Sequence, residues 1–419
     1  MKAVFRFIIT GLLAFRARRH LKKGHTRIIA ITGSMGKTST KEAAYTILKK
    51  RFNVFRNPKG FNTELGMSLA ILGENESGFS SAKAWLRILK RAFFNPKPFY
   101  GQAILEMGAD HPGDLRKLMK IAPPSLSVIT HVAPVHLGSG QFKDIADIAR
   151  EKSTLIKNLP AEGVAIVNFD DLLVRAMETK ARRVTYGTEE PAMLRATAIS
   201  STAKNLRFTA HFDGQSQEFT VPLLGKFQVY ICLAATAIAL QFGVTLKECA
   251  ETLKTFSLPP GRMNPIDGIS NTMVIDGSYN ASPYTMARSL ELLRELKAGR
   301  KIAALGTMNE LGEMTKKAHL AVGKQAAEIA NLLIAVGPEA AHIKQGAVDA
   351  GMPESQIFTF LDSEEAGHFL KEHIQPKDLI LVKGSQNRVR MEKLVKMIME
   401  KPEDAPKLLC RQEEAWGKI

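Results

Sequence analysis

From residue 27 onward, short apolar runs alternate with longer amphipathic stretches. Runs of this length, bounded by glycine, proline or polar clusters, fit strands buried on both faces. "RIIAIT", "GQAILEM", "SLSVIT" and "GVAIVN" predict such strands, and "TSTKEAAYTILKK" predicts the helix after the first of them. Residues 195 to 222 alternate in shorter steps around "DGQ" and predict antiparallel hairpins attached to the same sheet. "FQVYICLAATAIALQFG" is apolar all round and predicts a buried helix. Proline and glycine in "SLPPGRMNP" stop the pattern. It restarts with "TMVIDG", "KIAALG", "LLIAVG" and "DLILVKG", each followed by a helix-like segment. The expected fold is therefore α/β. A central phosphate-binding parallel-sheet domain with a small antiparallel addition is followed by a Rossmann-like domain. The expected division is a basic helix at 1–25, a nucleotide-binding domain at 26–257, a second domain at 258–400 and a tail at 401–419.

The N-terminal stretch has its own pattern. Phe7 to Phe15 are mostly apolar, and Arg16, Arg18, Arg19, Lys22 and Lys23 follow. The run is too short to span a bilayer, and no cleavage site of the A-x-A kind follows it. A helix packed on the next domain and an interfacial helix lying on anionic lipid both fit residues 1–24.

With 419 residues the chain exceeds one compact core, which agrees with the break near residue 260. Lys plus Arg number 58 against 41 Asp plus Glu, a formal charge of +17. That excess suits anionic partners: nucleotides, nucleic acid or a membrane surface. No nucleic-acid-binding string accompanies it, so nucleic acid is not an expected partner. Cys232, Cys249 and Cys410 are far apart and form no zinc spacing, as in a reduced, cytoplasmic chain.

The chemistry begins at "ITGSMGKTST". It resembles the phosphate loop G-x-x-x-x-G-K-[ST], but Ile31 stands at the first glycine position and Gly33 comes two residues later. A glycine loop between a buried strand and a helix presents backbone N–H groups and the positive helix end to an anion. Gly33 and Gly36 permit the tight turn, Lys37 supplies a fixed cation, and the Thr38 hydroxyl suits Mg²⁺. Glu106 ends another apolar strand of the same sheet, where a carboxylate needs a cation such as Mg²⁺ or an equivalent partner. His131 and His136 follow a third strand, in "THVAPVHL".

These strings occur in a fixed order with "ILEMGADHPGDL", "IAREKSTLI", "PPGRM", "VIDGSYNASP", "LGTMNELGE" and "LVKGSQNRVRME". In that series the chain resembles the Mur ligase family over about residues 25 to 395. "SYNASP" and "MNELGE" favour its branch that adds D-alanyl-D-alanine to a UDP-N-acetylmuramoyl-tripeptide. The resemblance implies a monomeric, ATP-dependent peptide ligase of peptidoglycan precursor synthesis. It activates a substrate carboxylate as an acyl phosphate and joins it to the amine of an amino acid or dipeptide. It also implies ATP and two Mg²⁺ ions as cofactors. By position, Gly33, Ser34, Met35, Gly36, Lys37, Thr38, Ser39 and Arg262 would hold ATP. Thr38, Glu106, His136 and Lys152 would hold metal, with Lys152 matching a lysine that is carbamylated in many relatives. Lys37, Lys152, His136 and Arg262 would carry catalysis. Asn62, Thr63, Asn280, Ser282, Glu310 and Lys383 would line the substrate sites.

Three departures qualify the match. Only residues 1–25 precede the first predicted strand, where this branch of the family has a uridine-recognising domain. Phe227 and Ile231 replace a His and an Asn near the adenine. Gly277 replaces an Asp that holds the ribose, with Asp276 left as a substitute. Each lost polar contact weakens nucleotide binding by about 0.5–1.5 kcal/mol. A Mur-type ligase for a lipid-linked or non-uridylated acceptor, and a degenerate nucleotide-binding subunit, are the alternative expectations.

Overall fold

A computed structural model describes residues 2–74, 82–94, 98–138, 140–386, 389–413 and 416, with the side chains of 7–74 and 85–94 in the first two segments. The chain forms two sheets. In the first, the strands are β1 (Arg27–Thr32), β2 (Val54–Arg56), β3 (Gln102–Glu106), β4 (Leu126–Ile129), β5 (Val164–Asn168), β6 (Arg182–Gly187), β7 (Leu194–Ser201), β8 (Leu206–Phe212) and β9 (Gln215–Val221). Their spatial order is β2-β3-β1-β4-β5-β6-β7-β8-β9. Pairing is parallel from β2 through β7, and antiparallel across β7, β8 and β9. The hairpins expected around residues 195 to 222 thus extend the parallel sheet edge to edge.

The second sheet holds β10 (Asn264–Gly268), β11 (Thr272–Gly277), β12 (Lys301–Gly306), β13 (Leu332–Val336), β14 (Ile357–Phe360) and β15 (Leu379–Lys383), in the order β10-β11-β15-β12-β13-β14. All pairs are parallel except β10 with β11. Pro265 cannot donate to a ladder, and β10 lies at the edge, where that costs least.

The central parallel strands of each sheet are buried on both faces and read as apolar runs, whereas β7, β8 and β9 alternate buried and exposed positions. The apolar helix Val229–Leu240 fills one face of the first sheet, with Ile231 and Cys232 in that core. The other face is covered by helices α1 (Lys2–Lys23), α3 (Glu64–Leu72), α4 (Ala82–Phe94), α5 (Asp114–Ile121) and α6 (Ile145–Lys157). Helix α2 (Lys37–Leu48) follows β1. Ile9, Leu13, Ala17 and Leu21 of α1 recur at helical spacing, are buried, and pack on α3 and α5.

The tail is more ordered than its composition predicts. Cys410 and Arg411 are buried, and Arg411 Nη1 donates to the Ser278 carbonyl at 3.2 Å and to Glu392 at 3.1 Å. Beyond residue 413, only Trp416 belongs to the described residues.

Candidate functional site

In the first sheet the chain order reverses beside β1, which pairs with β3 on one side and β4 on the other. Ligands of open parallel sheets gather at the strand C-termini at such a point. The ends of these three strands carry Gly33, Glu106 and Thr130 within or just beyond them.

The loop after β1 is held from outside. Gly33 has φ +150° and Gly36 φ +80°, both in the region that favours glycine. Ser34 N donates to the His131 carbonyl at 2.6 Å, Ser34 Oγ to the Ala133 carbonyl at 3.0 Å, and Thr130 Oγ1 to the Met35 carbonyl at 2.6 Å. Lys37 Nζ folds back on the loop and donates to the Gly33 carbonyl at 2.7 Å. Burial lowers its pKa, against the pull of Glu106 and Asp110. Ser39 is buried in the first turn of α2.

A Cβ at Gly33 would stand 1.9 Å from Thr130 Oγ1. Gly33→Ala therefore pushes the loop off Thr130 while leaving both sheets intact. We expect nucleotide binding about a hundredfold weaker by titration calorimetry, about 2.7 kcal/mol. Unchanged affinity would contradict this geometry.

Glu106 is the hub of the site. Thr38 Oγ1 donates to its Oε1 at 3.0 Å, and Lys41 Nζ lies 3.5 Å from Oε2. Asn57 clamps its backbone, accepting from Glu106 N at 2.9 Å and donating to its carbonyl at 3.0 Å. Burial pushes the Glu106 pKa up, but Lys41, Lys37, Arg262 and the Thr38 hydroxyl outweigh it and hold the carboxyl below its usual range. The group stays an anion. Arg262 reaches across from the second domain and donates from Nη2 to Thr38 Oγ1 at 3.0 Å. Its buried Nε has no hydrogen-bond partner. Arg262 also stacks on Tyr279, 4.1 Å from the ring centroid, and Lys59 and Arg411 lie 4.7 and 5.3 Å from the same ring.

A second group of residues joins the domains. His136, at φ +57°, places Nδ1 2.5 Å from Glu310 Oε2 and Nε2 3.5 Å from Asp110 Oδ1. Leu137 N donates to the Glu310 carbonyl at 3.0 Å. Lys152 is buried on α6. Burial and the Lys37 charge lower its pKa to about 7, against Asp110 and Glu151. Glu151 is turned away to accept from the Gly113 and Leu115 amides at the start of α5, both at 2.8 Å. His131 pairs with Asp171 at 2.6 Å and lies under Tyr284 of the second domain, ring centroids 4.6 Å apart.

Among the described residues, no three His, Cys, Asp or Glu side chains converge as a metal cluster. The oxygens of Thr38 and Glu106 do converge at the helix N-terminus. That pair fits Mg²⁺, which takes one or two protein oxygens and completes its shell with phosphate and water. Asp110, which the sequence pattern did not single out, joins His136 and Lys152 as a second grouping.

Several expected substrate residues have structural work. Thr63 caps α3, accepting from Gly66 N at 3.3 Å, and Ser282 caps the helix Pro283–Glu295 in a capping box with Thr285. Asn62 lies across Gly108, where a Cβ would meet its amide at 2.7 Å. Asn280 is exposed and its Oδ1 accepts from Ala281 N at 2.9 Å. Lys383 is buried with Nζ donating to the Asn280 carbonyl at 3.0 Å, and burial lowers its pKa to about 8.

Asp276, expected at the ribose, lies inside the second domain. It is fully buried, one oxygen accepts from Ser278 N at 3.0 Å, the other has no partner, and burial raises its pKa to about 6. In this arrangement it offers a ribose no exposed oxygen. The glycine beside it is closely packed: a Cβ at Gly277 would stand 2.9 Å from Met263 Sδ and 3.3 Å from the Val382 carbonyl. Phe227 packs between the domains, and Ile231 lies in the core.

Two family models match the chain: the Mur ligase middle domain over residues 31–239, and the Mur ligase, glutamate ligase domain over residues 261–386. The UDP-N-acetylmuramoyl-tripeptide–D-alanyl-D-alanine ligase of Mycobacterium tuberculosis (strain H37Rv) is 30% identical over 399 residues, covering 89% of this chain and 73% of that protein. The ligase of the same name from Bacillus subtilis (strain 168) is 28% identical over 389 residues, with 92% and 79% covered. Among solved structures, the MurF ligase of Thermotoga maritima in complex with ADP superposes with a TM-score of 0.79 at 26% identity, covering 93% of this chain and 83% of that one. MurF from Acinetobacter baumannii gives 0.78 at 26%, with 94% and 81% covered. The chain belongs to the Mur ligase family. It is an ATP-dependent ligase that forms an amide C–N bond.

Proposed function

We propose that this ligase joins D-alanyl-D-alanine to the carboxylate of a muramoyl-tripeptide precursor, UDP-linked as in its named relatives, in the cytoplasm and as a monomer. The observation that carries the reading is the Arg262–Thr38–Glu106 chain of contacts, in which an arginine of the second domain reaches the phosphate loop of the first. In this reading residues 26–257 bind ATP, residues 258–400 bind the incoming dipeptide, and residues 1–25 and 401–419 flank them.

The acceptor carboxylate attacks the γ-phosphorus and ADP leaves. The dipeptide amine then attacks the acyl carbon and phosphate leaves with the former carboxylate oxygen. The loop from Gly33 to Ser39 cradles the phosphates, and Lys37 and Arg262 balance the charge that spreads over the transferring group. The contact between domains excludes water from the acyl phosphate. Mg²⁺, held by Thr38 and Glu106 and at a second position by His136, Asp110 and Lys152, would screen the phosphate oxygens. Asn62 lies across Gly108, two residues beyond Glu106, on the acceptor side. Asn280, Glu310 and Lys383 sit on the dipeptide side, while Thr63 and Ser282 act by capping the helices that bear the site.

Lys152 is suited to carbamylation because only the neutral amine attacks CO₂. Its lowered pKa means the neutral form grows as pH rises through about 7. With ¹³C-bicarbonate, a carbamate signal is expected that increases from pH 6 to 8 and is missing in Lys152→Arg. No signal across that range would refute the assignment.

The overall reading is tested by supplying ATP, Mg²⁺, the UDP-linked tripeptide and D-Ala-D-Ala. Phosphate release that requires both peptides, with amide product, is expected. Turnover only with a lipid-linked tripeptide would move the acceptor. ATP binding without amine-dependent phosphate release would mark a degenerate subunit.

A further inference from the structure

We propose that the outer faces of α1 and α4 form one docking surface for an anionic lipid bilayer, on which the chain lies without crossing. Contact through residues 1–24 alone is the simpler form of this idea. The structure adds a second helix and joins the two into one surface.

Helix α1 has two apolar faces. One is buried against α3 and α5. The other carries Phe7, Ile8, Leu12 and Phe15, which are 79%, 54%, 49% and 65% exposed. Ile8, Leu12, Phe15, Arg19 and Lys22 recur at alternating four- and three-residue steps, so the cations continue the apolar stripe along one side. Helix α4 repeats the arrangement. Ile88 and Ala92 are buried, while Leu86, Phe93 and Phe94 stand exposed beside Lys90 and Arg91. Arg16 Nη2 donates to the Phe93 carbonyl at 3.4 Å, which ties the end of α4 to α1. Of the thirteen large apolar side chains that stand exposed among the described residues, eight lie on α1, on α4 or at Phe99 just beyond it. An apolar cluster gathered on one side of a protein marks an interaction surface, whereas scattered residues do not.

Charge selects the partner. Together α1 and α4 span residues with eleven Lys or Arg and no Asp or Glu. Arg18, Arg116, Lys120 and Lys180 extend the positive rim around a cleft of about 640 Å³ beside α1. A second copy of the chain pressed on this face would bring like charges together, which costs free energy at every pair. An anionic bilayer neutralises them while burying the aromatic and aliphatic tips at the headgroup boundary. No helix among the described residues is long and apolar enough to cross a membrane, so the contact is parallel to the surface. The phosphate loop lies on other elements, so the surface does not depend on which acceptor the ligase uses.

The test is co-sedimentation of the full chain with vesicles of phosphatidylglycerol and phosphatidylcholine in equal parts, against phosphatidylcholine alone, in dilute salt. Retention on the anionic vesicles only is expected, falling as salt screens the charges. The variants Leu12→Glu/Phe15→Glu/Phe94→Glu and Lys22→Glu/Lys23→Glu are both expected to lower the partition coefficient about tenfold or more. All five positions are exposed, and an unchanged ATP affinity and melting temperature confirm folding. No retention, or retention that neither variant changes, would overturn the proposal. So would a concentration-dependent dimer in sedimentation velocity that the apolar variant dissolves, since a second copy would then cover the face. None of these outcomes depends on amide formation, so the ligase reading stands or falls separately.

Discussion

Replacing Lys37 with alanine is expected to lower kcat for amide formation by about a thousandfold or more. The transition state of phosphoryl transfer spreads negative charge over the transferring oxygens, and a single fixed cation there is worth about 10³–10⁵ in rate. Lys37 sits inside the loop that would wrap those oxygens, anchored by the Gly33 carbonyl at 2.7 Å. Removing it leaves Arg262 as the cation that reaches Thr38. Lys37→Arg is not expected to rescue, because a planar fork does not fit the tight return to the loop carbonyls. Burial already disfavours the Lys37 cation, so its loss does not unfold the protein. The check is phosphate release at saturating substrates beside a thermal melt. A folded Lys37→Ala with kcat within tenfold of the parent would refute the role.

Arg262→Ala carries the second large effect. Its guanidinium crosses from the second domain to Thr38 and stacks on Tyr279, so one side chain both bridges the domains and stands at the phosphate loop. We expect kcat to fall about a thousandfold, with ATP affinity changing about tenfold or less, because the phosphate loop and Glu106 keep their own contacts. Arg262→Lys should recover only a small part, since an ammonium cannot stack and fork as a guanidinium does. A loss confined to KM would assign Arg262 to ground-state binding instead. A loss of ATP affinity as large as the loss of rate would make it part of the nucleotide pocket rather than the closing device.

The sheets were legible because buried parallel strands are unbroken apolar runs, and "RIIAIT" and "DLILVKG" have no competing pattern. Other strands carry weaker signals. "VFR" is three residues long, "NPIDG" contains proline, and "RRVTYG" opens on two cations. In the candidate site, residues placed at or just after the end of a strong strand were legible in position: Gly33, Lys37, Thr38 and Glu106. Those that act through distant contacts were not. Asn57 clamps a residue 49 positions away, and Arg411 returns from the tail to residue 278. Asp110 joins His136 only because two loops meet above the sheet. Thr63 and Ser282 carried a readable signal of another kind, a hydroxyl residue directly before a helix, and Pro283 strengthens it for Ser282. The packing around Gly277 and Asp276 depends on Met263 and Ser278, which pattern alone does not bring together.

The most direct measurement traces one oxygen atom. With both oxygens of the acceptor carboxylate labelled by ¹⁸O, activation as an acyl phosphate predicts one ¹⁸O in each released phosphate and one in the amide product. Unlabelled phosphate, with amide still formed, would contradict the central claim that this site transfers the γ-phosphoryl group to a carboxylate.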